Sequence, residues 1–286
     1  MISAIFRMLP DFRGKQRLAR LILKKKLNTA VDIVISGQGN CSFKIPNAKE
    51  SVGFEIFING SYEQNTVNFI SSRLKSSEIF LDIGANIGAI TIPVCKNRID
   101  IKAIAIEAAP WLFSYLEENV QKNELSNVTL INKAISDKGQ MKVEFYSPRE
   151  KFGKGSMAPV FTEDGIMVDT ITLDEISKSM TENEIGMIKI DVEGFEYRAF
   201  QGGKELLQKQ DAPDILFEFV DWAEERSGIE PGAAQRLLIE YGYKIFFFEC
   251  NRISGKMVEP VKNGTHMFFA TKSLSSIPLP IRLSTS

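Results

Sequence analysis

"FLDIGANIG" (residues 80–88) runs apolar, places one acid, then turns on two glycines four residues apart. An apolar run that ends in a glycine turn and opens a helix reads as the first strand–helix junction of an open α/β sheet. Ligands of such sheets lie beyond the carboxyl ends of the strands, and glycine lets a ligand rest against the backbone there. Downstream, β-like runs alternate with helical ones. The β-like runs are "KAIAIE" (102–107), "VTLINK" (128–133), "GMIKIDV" (186–192), "DILFEFV" (214–220), "YKIFFFE" (243–249) and "HMFFATK" (266–272); the helical ones include "WLFSYLEENVQKN" (111–123), "EYRAFQGGKELLQK" (196–209) and "AAQRLLIEYG" (233–242). Short, nearly all-apolar strands between helices predict a parallel sheet covered on both faces. The last two β-like runs are joined by a polar loop with no helix, which predicts an antiparallel final strand in a terminal hairpin. The phenylalanines of that hairpin read as its core.

A chain of 286 residues, 44 % hydrophobic and 25 % charged, has room for one large α/β domain and an extension. The boundary is expected near residue 60, with a Rossmann-like domain over 60–286 and an N-terminal part over 1–59. In that part, "VDIVI", "CSFKI" and "FEIFI" read as a small antiparallel β cap. The net charge of −1 excludes a chain that binds nucleic acid by overall charge. Residues 1–26 nevertheless carry +7 and the rest −8. Residues 1–27 read as a basic amphipathic helix in which "RLARLILKKK" (17–26) sets its leucines and isoleucine on one stripe with cations around it. Packing on the domain with solvated charges is the plainer reading, and peripheral contact with anionic lipid the sharper one. Aromatic residues do not alternate with these cations, as a nucleic-acid stacking platform requires. Three scattered cysteines make neither a disulfide framework nor a zinc site. The start "MISAIFRMLP", cut by Arg7 and Pro10, reads as a poor signal peptide. No apolar run approaches the ~18 residues of a membrane span. The expected location is cytoplasmic, with membrane association if the basic helix meets lipid.

Glu107 ends the second strand 23 residues after Gly84, close to the ~20-residue offset at which an acid accepts hydrogen bonds from a ribose. A dinucleotide site wants a middle glycine where this chain has Asn86. Asp82, two residues before Gly84, would repel a pyrophosphate but not a cationic sulfonium. These features favour S-adenosylmethionine over a nicotinamide cofactor, and leave open a fold that binds without catalysing.

"FLDIGANIG" (80–88), "AIEAAP" (105–110), "NKAISDKGQMKVEFY" (132–146), "TLDEI" (172–176) and "IKIDVEGFE" (188–196) occur in this order. Together they resemble the FkbM family of S-adenosylmethionine-dependent methyltransferases over about residues 60–272, "DVEGFE" being the most specific stretch. The terminal hairpin likewise resembles the seven-stranded, mostly parallel sheet of class I methyltransferases. The resemblance implies O-methylation, of sugars or of polyketide-type natural products. It implies that Asp82, Gly84, Asn86 and Gly88 line the methionine part of the cofactor, that Glu107 holds the ribose hydroxyls with Ala108 beside the ring, and that Ala134 and Ile135 flank adenine. It places Asp191 facing the methyl group. "GSYEQNT" (60–66) resembles the family's element before the first helix, so that Glu63 could reach the cofactor's amino end. Ala89 and Ile90 depart from the bulkier aromatic residues of many relatives.

Methyl transfer needs an aligned acceptor oxygen and a group to take its proton. Period-two alternation in "KIDVEGFE" sets Lys189, Asp191 and Glu193 on one side of the strand. Asp191 is the first candidate for base or substrate orienter and Glu193 the second. Lys189, in an apolar strand, needs a carboxylate partner if buried. Glu218 ends the fifth strand on the same rim and reads as an acceptor-lining acid. Asp191, Glu193 and Glu218 could also form an all-oxygen Mg²⁺ site, although no ligand spacing compels it. Trp222, beyond the fifth strand, is an acceptor candidate, whereas Trp111 and the single histidine, His266, read as packing or surface residues. The acceptor pocket is expected in loops 147–170 and 221–232. The reading is an O-methyltransferase acting on a sugar or glycan intermediate. A natural-product O-methyltransferase and a non-catalytic cofactor-binding or membrane-associated module are the alternatives.

Overall fold

The computed structural model describes residues 6–7, 9, 14–180, 184–249, 252–257 and 259–273. Helix α1 (Lys15–Thr29) buries Lys15, Ala19, Leu23 and Leu27. The expected single stripe of leucines is therefore divided. A four-residue spacing keeps 15, 19, 23 and 27 on one face and puts position 21 on the other; Leu18, Leu21 and Ile22 point outward. The rest of the expected helix, residues 1–5, 8 and 10–13, lies outside the described residues.

Strands β1 (Val31–Ser36) and β2 (Ser42–Asn47) pair antiparallel, as expected of a cap. The third run, "FEIFI", is instead part of helix α2 (Ser51–Asn59), buried on most sides. An apolar run of that kind does not distinguish strand from helix; its ends do. The Glu50 carboxylate caps the first turn by accepting from the Val52 N–H at 2.8 Å, and Gly60, at φ +76°, closes the last.

The α/β alternation then begins with α3 (Gln64–Arg73), β3 (Ile79–Ile83), α4 (Thr91–Asn97), β4 (Lys102–Ile106), α5 (Pro110–Lys122) and β5 (Val128–Ile131). Three further strands, β6 (Ala134–Ile135), β7 (Lys142–Tyr146) and β8 (Gly165–Ile171), make a separate sheet in the order β6-β8-β7. The expected acceptor loop 147–170 thus ends in a strand. The series closes with α6 (Leu173–Lys178), β9 (Ile185–Ile190), α7 (Glu196–Gln201), α8 (Lys204–Leu207), β10 (Asp214–Val220), α9 (Asp221–Arg226), α10 (Ala233–Glu240), β11 (Lys244–Glu249), β12 (Arg252–Met257) and β13 (Thr265–Thr271).

The main sheet has the order β12-β11-β13-β10-β9-β3-β4-β5. The five strands from β10 to β5 are parallel. β13 lies antiparallel between β10 and β11, the antiparallel closure of a parallel sheet that the sequence predicts. One difference from the expected seven strands is β12, paired antiparallel with β11 at the edge. Its sequence, "RISGKM", is mostly polar, and an edge strand with a single neighbour can be so. Alternate residues of the strands feed opposite cores. Leu81, Ile188 and Phe217 pack with Phe200 of α7 and Leu238 of α10; Phe80, Met187 and Leu216 pack with Ile70 of α3 and Val94 of α4.

The N-terminal part shares its core with the sheet's helices, Phe43, Ile45 and Phe54 clustering with Ile87, Leu112 and Leu116. Asn119 of α5 ties the two together. Its Oδ1 accepts from the Lys44 N–H at 2.6 Å, and its Nδ2 donates to the carbonyls of Lys44 and Ile87. The chain leaves β3 toward β4 on one side and returns to β9 on the other. The resulting crevice is where such sheets hold ligands.

Candidate active site

The ends of β3, β4 and β9 open into a cavity whose lining mixes apolar side chains with a few carboxylates, the make-up of a small-ligand site. Gly84, at φ +74°, forms its floor; a Cβ there would stand 2.0 Å from the Asp191 carbonyl oxygen. Only glycine lets the turn after β3 lie this close to the end of β9. Gly88 also has positive φ, but a Cβ on it would meet Ile92 and Leu116. It serves the packing of the next helices and is not among the residues lining the cavity.

Glu107 sits at the end of β4 with its carboxylate buried. Its Oε2 accepts from the Asn86 N–H at 3.0 Å and its Oε1 from the Ala109 N–H at 2.9 Å. Burial pushes its pKa up to about 7 against these backbone donors. Each oxygen keeps a second lone pair for a ligand hydroxyl. Ala108, Ala134 and Ile135 line the same end of the cavity, the last two held as β6 by pairing with β8.

At the other end, Asp82 is fully buried. Its Oδ2 accepts from the Thr91 hydroxyl, and its Oδ1 lies 3.8 Å from the Lys189 ammonium with no hydrogen-bond partner among the described residues. Burial raises the Asp82 pKa. Lys189 lies 3.5 Å from Asp191 Oδ2. Its burial opposes the charge, but the surrounding carboxylates, Asp191 first, outweigh that and hold the ammonium above its usual range. The partner that burial of Lys189 demands is thus present twice over.

Beyond β9 the backbone turns sharply, Glu193 at φ +47° and Gly194 at φ +93°. Glu193 is buried. Its Oε1 accepts from the Lys154 ammonium, and its Oε2 has no hydrogen-bond partner among the described residues. Glu218 of β10 reaches the same place: one carboxylate oxygen each from Asp191, Glu193 and Glu218 lie within 4.8 Å of one another. Burial, then the negative charge of Asp191, raises Glu193 to about 7; burial, Asp191 and Glu193 raise Glu218 to about 8. Such a set of oxygens could take a hard cation. Lys154 and Lys189 already place positive charge beside two of its members.

The structure therefore brings Asp82, Gly84, Asn86, Glu107, Ala108, Ala134, Ile135, Asp191 and Glu193 to one cavity. Glu63 is not among its lining residues. The left-handed Glu63 (φ +41°) turns its carboxylate back to the Thr66 hydroxyl at 3.0 Å, and its neighbour Tyr62 lines the cavity instead. Trp222 is the second residue of α9, so the expected loop 221–232 opens with a helix. Its ring meets Phe161 edge-on at 5.7 Å, and Lys154 lies over Phe161, which puts Trp222 at the outer rim. His266 stacks on Phe219 and Trp111 bonds Ser147; neither lines the cavity.

Sequence reasoning did not find Tyr62, Phe152, Lys154 or Met157. They belong to a flap between β7 and β8 and to the turn before α3. Asn86 Nδ2 donates to the Phe152 carbonyl at 3.0 Å, and Gly153 and Gly155 give the flap its close approach. The glycines of "KFGKGS" (151–156) were the available signal.

The raised acids give a stability prediction. A carboxyl whose folded pKa exceeds its unfolded one stabilises the fold while protonated. That contribution is full below ~4.5 and is lost as pH rises through the folded pKa. With Glu107 and Glu193 at about 7 and Glu218 at about 8, the melting temperature of the ligand-free protein is expected to fall between pH 5 and 8. One such acid alone accounts for about 2 kcal/mol, or roughly 5 °C, over this range, so the expected drop is at least that large. Scanning calorimetry of Glu218→Gln should show a flatter profile; an unchanged slope would refute the assignment.

A family model described as the methyltransferase FkbM domain matches residues 82–245. The hexuronic acid methyltransferase AglP of Haloferax volcanii is 26 % identical over 178 residues, 62 % of this chain and 68 % of that protein. Precorrin-6y C5,15-methyltransferase of Geobacter metallireducens superposes with a TM-score of 0.43 at 15 % identity, over 74 % of this chain and 87 % of that one. M. jannaschii TYW2, solved in complex with AdoMet, gives 0.42 at 17 % identity, over 84 % and 85 %.

Proposed function

This chain belongs to the FkbM methyltransferase domain family, and we propose that it methylates, from S-adenosylmethionine, a hydroxyl on a sugar or glycan intermediate. The chain is a methyltransferase; the methyl donor, the acceptor and the residue roles are the proposal. One observation carries it: the buried carboxylate of Glu107 and the acids Asp82, Asp191 and Glu193 line a single cavity. The surplus of carboxylates suits a cationic donor and would repel a pyrophosphate. The similarity to a hexuronic acid methyltransferase supports a saccharide acceptor over a polyketide-type one. The division into residues 1–59 and 60–286 is part of the same proposal, the first acting as a cap that shares the core of the second.

When bound, S-adenosylmethionine supplies a methyl carbon activated by its sulfonium. Glu107 accepts the ribose hydroxyls, Gly84 and Asn86 give the backbone surface, and Ala134 and Ile135 wall the adenine end. Asp82 and Asp191, neutralised in part by Lys189, face the donor's positive charge. The sequence ranks Asp191 first as base, but the geometry favours Glu193. Its Oε2 is buried and unpartnered, its pKa of about 7 suits proton transfer near neutrality, and Lys154 fixes its other oxygen. Asp191 then orients the acceptor. Mg²⁺ is not needed for this arrangement.

Incubation with S-adenosylmethionine labelled in the methyl group, against hexuronic acids and neutral hexosides, should move label to a saccharide. Calorimetric binding of the donor with no labelled saccharide would refute the acceptor class; no binding would refute the donor.

A further inference from the structure

We propose that helix α1 docks the protein on an anionic membrane surface through Leu18, Leu21 and Ile22 and the cations beside them. This goes beyond the methyl-transfer reading and does not depend on it. The helix is bound to the fold by one narrow row, Lys15, Ala19, Leu23 and Leu27. At 100° per residue, Leu21 stands roughly opposite that row. Leu21 is 74 % exposed, Ile22 56 % and Leu18 41 %. Their i, i+3, i+4 spacing makes one contiguous apolar stripe. A single exposed leucine is ordinary, but a stripe of three on the outer face of a helix marks a contact surface.

The charges around the stripe identify the partner. The helix has six cations and no acid. Three of them serve the fold: Lys15 bonds the Leu9 carbonyl at 3.0 Å, Arg20 bonds the Lys49 carbonyl and covers the Phe54 ring at 3.9 Å, and Lys26 lies over the Phe57 ring at 5.5 Å. Arg17, Lys24 and Lys25 are exposed on the outer side, with no carboxylate partner among the described residues. Long cationic side chains can lay their stems along the leucines and keep their heads in the headgroup layer. The charge of the chain is also polarised, +7 over residues 1–26 and −8 over the remainder. An anionic surface attracts only this end and repels the body, so the protein would dock in one orientation. Aliphatic residues flanked by lysine suit a lipid boundary, and the stripe holds no aromatic residue on which a base could stack.

The test is co-sedimentation of the full chain with vesicles of phosphatidylcholine alone or mixed with phosphatidylglycerol. Binding should be at least about tenfold stronger with phosphatidylglycerol and should weaken with added salt. Leu21→Asp/Ile22→Asp and, separately, Lys24→Glu/Lys25→Glu should each lose it by about tenfold. Both pairs are exposed and distant in sequence from the cavity residues, so the melting temperature by scanning calorimetry should stay close to that of the parent and reports folding. Equal sedimentation on both vesicles, or variants that bind as the parent does while folded, would overturn the proposal. Binding to soluble polyglutamate without sedimentation on anionic vesicles would overturn it in favour of an acidic protein partner.

Discussion

Glu107→Ala is expected to weaken S-adenosylmethionine binding by at least about 100-fold, measured by calorimetry. A carboxylate that accepts two ribose hydroxyls contributes about 1.5–3 kcal/mol per bond, and about 2.7 kcal/mol is already 100-fold. The substitution does more than remove a ligand contact, because it also orphans the N–H groups of Asn86 and Ala109, which donate to Oε2 and Oε1. The ligand-free variant should therefore melt lower. Glu107→Gln separates the two effects. It keeps one acceptor oxygen, so it should be more stable than the alanine variant and still bind weakly. A pH dependence follows from the same burial. With its pKa raised to about 7, Glu107 is in large part protonated below neutrality and a poorer acceptor for two hydroxyls. Donor affinity should rise as pH increases through 7, and the alanine variant should lose that rise. A folded Glu107→Ala that binds within threefold of the parent would remove the ribose role.

The placement of Glu107 at the cavity was legible in the sequence because parallel strands expose their logic. Buried on both faces, they read as apolar runs, and whatever follows each run lies at one edge of the sheet. Asp82, Gly84, Glu107 and Asp191 all follow or end such runs, and all reach the cavity. Gly88 shows the limit of that argument, since a glycine in the right motif position spends its freedom on Ile92 and Leu116. Glu63 misses by one residue. A left-handed backbone at that position turns the acid toward Thr66 and leaves Tyr62 facing the ligand space, and no periodicity rule anticipates a single residue's φ.

Long-range pairing was less legible. Lys154 is 39 residues from Glu193 and sits in a flap with no regular pattern. Strand β7 was hidden because "KVEFY" is only half buried, so its alternation is weak. Helix α2 was mistaken for a strand because burial on most sides removes the 3.6-residue signature, leaving only Glu50 and Gly60 to mark its ends. In α1 the leucines were visible but not their division into an inner and an outer row. That division depends on which residues the cap places beneath the helix.

The second large effect is expected at Glu193. Glu193→Gln should lower kcat by about 10²–10⁴-fold, the usual contribution of a positioned general base, while S-adenosylmethionine binding stays within about threefold. Binding should survive because the glutamine oxygen can still accept from Lys154 and because, in the proposed arrangement, Glu107 rather than Glu193 takes the ribose. In the parent enzyme, kcat should rise with pH through about 7 as Glu193 gives up its proton. The neighbouring carboxylates control that midpoint. Asp191 raises Glu193 by its charge, and Glu193 in turn raises Glu218 to about 8, so the acids titrate as a group and the rise should be broader than that of one isolated carboxyl. Glu218, raised to about 8, still carries its proton while Glu193 titrates near 7, so Glu218→Gln should leave the midpoint of the rate profile nearly in place, with kcat retained within about tenfold. Lys154→Met should move it to higher pH, because the ammonium that favours ionised Glu193 is gone. Glu193→Gln activity close to that of the parent, or a rate profile that Lys154→Met does not displace, would return the base to Asp191, whose own substitution to asparagine would then carry the loss in kcat.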